Sequence, residues 1–386
     1  MGGFCNFTEQ RIFVEKFLRE RGFIGMKKRQ QKWRFLGVVG FVLMTLILSG
    51  CGEPFLSTLQ PAGEVAQKQF DLMMLATIIM VLVIVVVTVI FLIVVFKYRR
   101  KGNDKKIPKQ VEGSHKLEVI WTVIPIILLI ILAVPTVSYT FQLADVSPMD
   151  NKDEDGKTKD ALVVNVRANA YWWEFEYPDA GVVTSQELVV PTDERVYFNL
   201  TASDVKHSFW VPAAGGKIDT NTDNINSFFL EFNADKADEA DNLFYGKCAE
   251  LCGPSHALMD FKVVTKSKED FDQWLEGMQN AEKPVAEGAT AQQGEEIFNQ
   301  SCIGCHAVTP NENMPVAART GPNLSTYGDR SYVAGILENS KENTKEWIKN
   351  SQEIKPGNKM PSFNDLGEEE LDALAEYLHQ LKASGE

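Results

Sequence analysis

The chain has 386 residues, enough for two or three domains, and its 39 Lys and Arg against 52 Asp and Glu give a net charge of −13. The charge is lopsided: residues 1–141 hold 18 basic and 9 acidic residues, whereas residues 142–386 hold 21 and 43. A basic, apolar first third followed by an acidic remainder fits a membrane anchor carrying an acidic outer part, which excludes nucleic acid as a partner and suits basic proteins.

Met26-Lys27-Lys28-Arg29 is a basic start, Phe35 to Leu48 an apolar stretch, and Leu48-Ser49-Gly50-Cys51 follows. This is the tripartite pattern of an export signal. The last four residues resemble a bacterial lipobox, which implies Cys51 as the lipidated first residue of the mature chain; an ordinary transmembrane anchor is the alternative. Residues 1–25, with mixed charge and Cys5, receive no role, and Met1 and Met26 both stay open as the start.

Leu72 to Phe96 and Val119 to Phe141 are uncharged runs of 25 and 23 residues. Each is long enough to cross a hydrocarbon core of about 30 Å. Pro125 and Pro135 are tolerated there when neighbouring helices satisfy the freed carbonyls. The loop between them, 97–118, carries eight Lys and Arg, so it is expected on the cytoplasmic side. A hairpin with helices at 72–96 and 119–141 then places Cys51 and everything after Phe141 on the outer face.

After an acidic linker, short β-rich runs appear at 161–167, 171–177, 188–190, 195–201, 227–232 and 261–265, predicting a small all-β sandwich or barrel. Asp270 to Met278 predicts a short helix, and Asn280 to Ala291 reads as a linker. Thr344 to Ile354 and Glu368 to Leu381 have helical periodicity and predict a separate small helical domain.

Two clusters carry chemistry. Cys248-Ala249-Glu250-Leu251-Cys252-Gly253-Pro254-Ser255-His256-Ala257-Leu258-Met259 offers two thiolates, an imidazole and a thioether. Such a set selects soft metals, copper above all; a structural zinc loop or a Cys248–Cys252 disulfide is the alternative. It lacks a second imidazole, and His207, in a loop 41 residues earlier, is the candidate. Cys302-Ile303-Gly304-Cys305-His306 is the attachment motif of c-type haem, in which Cys302 and Cys305 add to the vinyl groups and His306 is an axial ligand. A redox-active or zinc-binding pair is the alternative. Met360, 54 residues beyond His306, is the candidate second axial ligand; a Met/His pair raises the potential.

Two transmembrane helices, an outer β domain with His207 and the Cys-x-Glu-x-Cys-x3-His-x2-Met run, and a terminal haem-c module resemble cytochrome c oxidase subunit 2. The resemblance is to the caa-type form with a fused cytochrome c domain found in Bacillus-like bacteria, and it covers roughly residues 26–384. It implies a multi-domain membrane protein: signal and extension at 1–51, transmembrane hairpin at 52–145, all-β cupredoxin-like barrel at 160–266, linker at 267–290, and all-α class I cytochrome c domain at 291–384. It implies a dinuclear CuA centre bridged by Cys248 and Cys252, with His207 and His256 as terminal ligands, Met259 as a weak ligand and the Glu250 carbonyl as the last. The Glu250 side chain would meet a magnesium ion shared with the catalytic subunit. Gly321-Pro322-Asn323-Leu324 resembles the proximal loop whose Pro carbonyl accepts from the haem-ligand imidazole.

The implied function is electron input to a terminal oxidase that reduces oxygen to water with proton pumping. The oxygen site of such oxidases needs six His; this chain has five, three of them already assigned, so that site belongs to subunit 1, among the other oxidase subunits expected as partners. Soluble cytochrome c or a quinol–cytochrome c reductase is the expected donor, and membrane lipids surround the hairpin. A CuA-containing nitric oxide reductase subunit and a non-catalytic membrane-anchored copper-binding protein are the alternatives. One position departs from the family: the usual exposed electron-accepting Trp is Tyr171 here. This fits an electron arriving from the tethered haem; equally, Tyr171 to Trp173 fit ordinary aromatics of a strand.

Overall fold

The computed structural model describes residues 37–41, 44, 53–99, 102, 107, 109–110, 112–283, 285–311 and 315–382. Cys5, Cys51 and most of the export signal lie outside the described residues. The chain divides into two units, Met1–Gly52 and Glu53–Glu386, and the second begins with two long helices.

Helices α1 (Glu64–Lys97) and α2 (His115–Leu143) contain the two apolar runs and extend beyond them. The extension of α1 has a local cause. Its first turn rests on the β region: Val65 and Ala66 are buried, the Ala66 amide donates to the Ala214 carbonyl at 3.1 Å, and Glu64 pairs with Arg195 at 2.8 Å. Further along both helices the apolar side chains point outward, and both are long and apolar enough to cross a membrane.

Ten strands follow as a two-sheet sandwich. They are β1 (Leu162–Asn169), β2 (Trp172–Tyr177), β3 (Val182–Ser185), β4 (Glu187–Pro191), β5 (Val196–Ala202), β6 (His207–Trp210), β7 (Ile218–Thr220), β8 (Asn226–Leu230), β9 (Leu243–Cys248) and β10 (Asp260–Lys266). One sheet has the order β3-β2-β1-β5-β8 and the other β4-β10-β9-β6-β7. Pairs β1–β5 and β4–β10 are parallel. The inner faces meet over aromatic side chains: Trp173 packs edge-on to Phe209 at 5.7 Å, and Phe209 stacks on Phe261 at 4.7 Å. This is the cupredoxin-like layout expected. Sequence alternation picks out β1, β2, β4, β5, β8 and β10 but not β3, β6, β7 and β9. The last four are short or broken by polar and glycine positions such as Gly246 and Lys247.

Helix α3 (Ala234–Glu239) is followed, after β10, by α4 (Lys268–Gln279). The Ser267 hydroxyl caps α4 by accepting from the Asp270 amide at 3.1 Å. Phe271, Trp274 and Met278 form its buried stripe against the sandwich, with Trp274 at 5.4 Å from Tyr177. The short helix predicted at Asp270 to Met278 is thus present, one to two residues longer at each end, and attached to the β domain inside the 267–290 span.

The helical domain holds α5 (Ala289–Ser301), the two-residue strands β11 (Tyr332–Val333) and β12 (Leu337–Glu338), α6 (Lys341–Ile354) and α7 (Glu368–His379). Leu371, Leu374 and Leu378 face inward from α7, as their spacing requires. Helices α5 and α7 meet at Gly294, where an added Cβ would lie 2.0 Å from the Ala373 carbonyl oxygen. Gly294→Ala is expected to destabilise this domain by about 1–3 kcal/mol or more through overpacking. Thermal unfolding followed in the far-ultraviolet checks it, and an unchanged midpoint would mean that the helices can separate freely.

Candidate metal centre and cofactor cavity

Antiparallel pairing of β6 with β9 sets Phe209 opposite Cys248, which brings His207, two residues before Phe209, beside the thiol. The sequence reading places His207 and Cys248 in loops. Instead His207 is the first residue of β6 and Cys248 the last of β9, so the sheet itself fixes their spacing. The loop after Cys248 folds back so that the Cys248 amide donates to the Met259 carbonyl at 3.2 Å and the Ala249 amide to the Ser208 carbonyl at 2.9 Å.

Five side chains converge there. Cys248 Sγ lies 3.8 Å from Cys252 Sγ and 3.9 Å from His207 Nδ1. Cys252 Sγ lies 3.7 Å from His256 Nδ1 and 3.9 Å from Met259 Sδ. The Glu250 carbonyl oxygen is 3.3 Å from Cys248 Sγ. Ligands about 2.0–2.3 Å from one ion lie within about 4.6 Å of each other, so neighbouring donors are spaced for sharing metal. His207, Cys248 and Cys252 also form a compact three-ligand group among the described residues. Each of the six donor groups lies within 3.9 Å of at least one other, and the thiols are unpaired by any disulfide.

Charge favours a cation. Burial resists ionisation of Cys248, yet contact with His207 and neighbouring backbone groups brings its thiol down to about 7. Burial and then the charge on Cys248 push Cys252 up to about 12. Two thiolates this close ionise together only with positive charge between them.

Two residues that hold the ligands are missing from the sequence reading. Asp204 Oδ1 lies 2.9 Å from His207 Nε2, which leaves Nδ1 facing the sulfur and fixes the ring. Burial would raise this carboxyl, but bonds from His207, the Ala170 amide and the Val205 amide hold it well below the usual range. Trp173 Nε1 donates to the Met259 carbonyl at 3.3 Å from inside the core. Asp204→Ala is expected to weaken copper binding about 10–100-fold; chelator competition measures it, and unchanged affinity would confine Asp204 to the fold.

The second site is a cavity of about 280 Å³ in the helical domain. Cys302, Cys305, His306 and Met360 all line it, with Phe298, Leu324, Trp347, Ile348, Leu374 and Leu378 among its apolar walls. His306 Nδ1 donates to the Pro322 carbonyl at 2.8 Å, so Nε2 is left as the lone-pair nitrogen. An apolar slot containing two thiols, one oriented imidazole and one thioether fits a covalently held haem.

This cavity is not built by the helical domain alone. Ala170, Tyr171, Trp172 and Gln186 of the sandwich also line it. The two domains are bonded: Arg319 pairs with Glu176 at 3.0 Å, Arg167 Nη2 donates to the Arg319 carbonyl at 3.0 Å, and Ser255 Oγ donates to the Pro356 carbonyl at 2.7 Å. Tyr171 is only 5% exposed. An added Cβ on Gly253 of the thiolate loop, where φ is +133°, would lie 2.4 Å from the Tyr171 hydroxyl. Tyr171 thus stands between the thiolate loop and the cavity, covered rather than open to a soluble partner, while Trp173 is core.

Comparison with known proteins agrees with this layout. Family models for the transmembrane domain of cytochrome c oxidase subunit II, its periplasmic domain and cytochrome c match residues 57–139, 181–267 and 291–382. The chain is 63% identical to cytochrome c oxidase subunit 2 of Bacillus sp. (strain PS3), over 92% of this chain and 99% of that protein. It is 59% identical to that of Bacillus subtilis (strain 168), over 91% and 98%. A solved periplasmic domain of cytochrome oxidase subunit II of Bradyrhizobium japonicum is 28% identical, covering 31% of this chain and 93% of that one, with a TM-score of 0.27.

Proposed function

Because the chain belongs to the cytochrome c oxidase subunit 2 family, we propose how its two sites serve the electron-input subunit of a haem–copper oxidase. The chain is membrane-anchored through α1 and α2, has a periplasmic domain, and associates with other subunits of an oxidoreductase complex. The subunit II domain implies CuA copper and the cytochrome c domain implies haem.

On our reading, Cys248 and Cys252 would supply the thiolates that hold the copper, His207 and His256 the imidazoles, Met259 a weak thioether ligand and the Glu250 carbonyl the last donor. The mutual approach of these five side chains, all between 3.7 and 3.9 Å for neighbouring donors, carries that reading. The copper pair, when bound, supplies a one-electron carrier whose charge is spread over two metals. The protein's part is to hold both imidazoles and both sulfurs still, through the β6–β9 pairing and Asp204, so that little reorganises when charge changes. Cys302 and Cys305 would hold the haem covalently and His306 and Met360 would ligate its iron, with the Pro322 carbonyl orienting His306.

The remaining assignments complete the proposal. The Glu250 side chain contributes to a magnesium site at the boundary with subunit 1, and Cys51 carries the lipid anchor in the outer leaflet. Reduced cytochrome c or a quinol–cytochrome c reductase delivers electrons at the haem domain, and proton pumping belongs to the catalytic partner. Full-length chain matured with copper and haem is expected to show a mixed-valence copper spectrum together with a low-spin haem-c spectrum. Single-copper or copper-free protein with all ligands intact and copper supplied would overturn the copper assignment.

A further inference from the structure

Resting on the haem reading above, we propose that the carboxylates of the haem are gripped across the domain boundary, by Arg330 and Lys355 of the helical domain and by Gln186 of the sandwich. All three line the cavity and all three are at most 5% exposed.

Gln186 is the observation from which the rest follows. Its Oε1 accepts from the Trp173 amide at 3.0 Å, so its amide nitrogen is the end left for the cavity. That nitrogen is buried and has no hydrogen-bond partner among the described residues. A buried donor left unpaired costs about 1–3 kcal/mol, so its occurrence in a fold this well bonded calls for an acceptor. The residue is also held rigidly. Its own amide donates to the Trp173 carbonyl at 3.0 Å, its carbonyl accepts from the Lys262 amide at 2.9 Å, and its φ is +70°. On either side the chain bonds the helical domain: Ser185 Oγ accepts from the Asn323 amide at 2.9 Å and Glu187 Oε1 from the Ser331 amide at 2.8 Å.

The cations complete the argument. Lys355 Nζ donates to the Ala334 carbonyl at 2.8 Å, next to Gly335, where an added Cβ would lie 2.7 Å from Gln186 Nε2. Arg330 donates to the Asn323 carbonyl and to Thr326 Oγ1. Burial pushes Lys355 down to about 7 and Arg330 down as well. Neither cation forms a contact ion pair with a carboxylate among the described residues, Glu187 and Asp329 acting on Arg330 and Asp260 on Lys355 only from a distance, and a buried charge without a contacting partner is costly. A haem brings two carboxylates to an otherwise apolar slot. They supply the missing acceptor for Gln186 and a contacting carboxylate for Lys355 and Arg330. The haem would then complete the domain interface, and its carboxylate edge would face the sandwich that holds the thiolate loop.

Gln186→Glu tests this with little change of shape, because Oε1 and its bond from Trp173 are kept and only the donor is replaced by an acceptor. The readouts are the reduction potential and the carboxylate-sensitive resonance Raman bands of the haem in the full-length chain. A carboxylate that loses its donor puts more negative potential on the iron and favours the ferric state. The ferrous-to-ferric ratio at a fixed applied potential should fall roughly tenfold, about 59 mV for a one-electron couple, and the Raman bands should shift. Lys355→Met should move both readouts in the same direction from the other side of the boundary. Wild-type values in both variants would overturn the proposal; a shift with Lys355→Met alone would confine the grip to the helical domain and overturn the cross-domain claim. Failure of the unmutated chain to bind haem covalently would instead overturn the haem reading itself.

Discussion

A chain carrying Cys252→Ser is expected to lose the mixed-valence copper spectrum and to hold one copper ion at most. Cys252 links one half of the cluster to the other: Cys248 Sγ, His256 Nδ1 and Met259 Sδ all lie within 3.9 Å of its sulfur. A serine hydroxyl is a harder and far less acidic donor, so His256 and Met259 lose the bridge to Cys248 and His207. Removal of a supporting residue around a metal costs about 10–100-fold in affinity or activity; removal of a bridging ligand should exceed that, taking oxidase turnover driven by reduced cytochrome c toward background. The fold should survive, because the loop is held by backbone bonds from Cys248 to Met259 and from Ala249 to Ser208. Metal analysis, absorption spectra and turnover of the assembled oxidase check these expectations. Retention of two coppers per chain with an unchanged spectrum would exclude Cys252 as a bridge.

Much of this site is legible in the amino-acid sequence, and the reason is chemical. Cys, His and Met in short fixed spacings have few uses, so Cys248 to Met259 and Cys302 to His306 announce their cofactors locally. His207 is within reach because the loop lacks an imidazole, although its place at the start of β6 is not: His207 to Trp210 is too short to show alternation. Asp204 carries a faint signal, an acid three residues before a proposed ligand, but such acids are ordinary on an acidic surface. Gln186, Arg330 and Lys355 give none. Their roles arise from contacts between residues more than a hundred positions apart, such as Ser185 with Asn323, and neither periodicity nor motif spacing encodes such docking.

The same long-range docking covers Tyr171. Where the family commonly exposes a Trp, this chain has a Tyr whose side chain is buried between the Gly253 turn of the thiolate loop and the cavity. The salt bridge between Lys359 and Asp204, at 3.3 Å, extends the cover to the residue that orients His207. The chain's own helical domain therefore covers this side of the sandwich.

Met360→Ala carries the other large expectation. The Met360 backbone is held independently of its side chain: its carbonyl accepts from Ser351 Oγ at 3.0 Å and Gln352 Nε2 at 2.6 Å, and its amide donates to Asn358 Oδ1 at 2.7 Å. Truncation should thus leave the loop in place and open a space inside the cavity. With the thioether gone, the ferrous iron loses the soft ligand that favours it, and the reduction potential falls. The vacant position then binds carbon monoxide or cyanide, which the unmutated chain resists. Absorption spectra before and after adding each ligand, together with a redox titration, provide the check. Reduction of the haem by its own donor should become less favourable, whereas transfer from the haem to copper should become more downhill, because a lower potential makes the haem a weaker acceptor and a stronger donor. If the variant keeps a low-spin spectrum and its wild-type potential, another residue is the axial ligand.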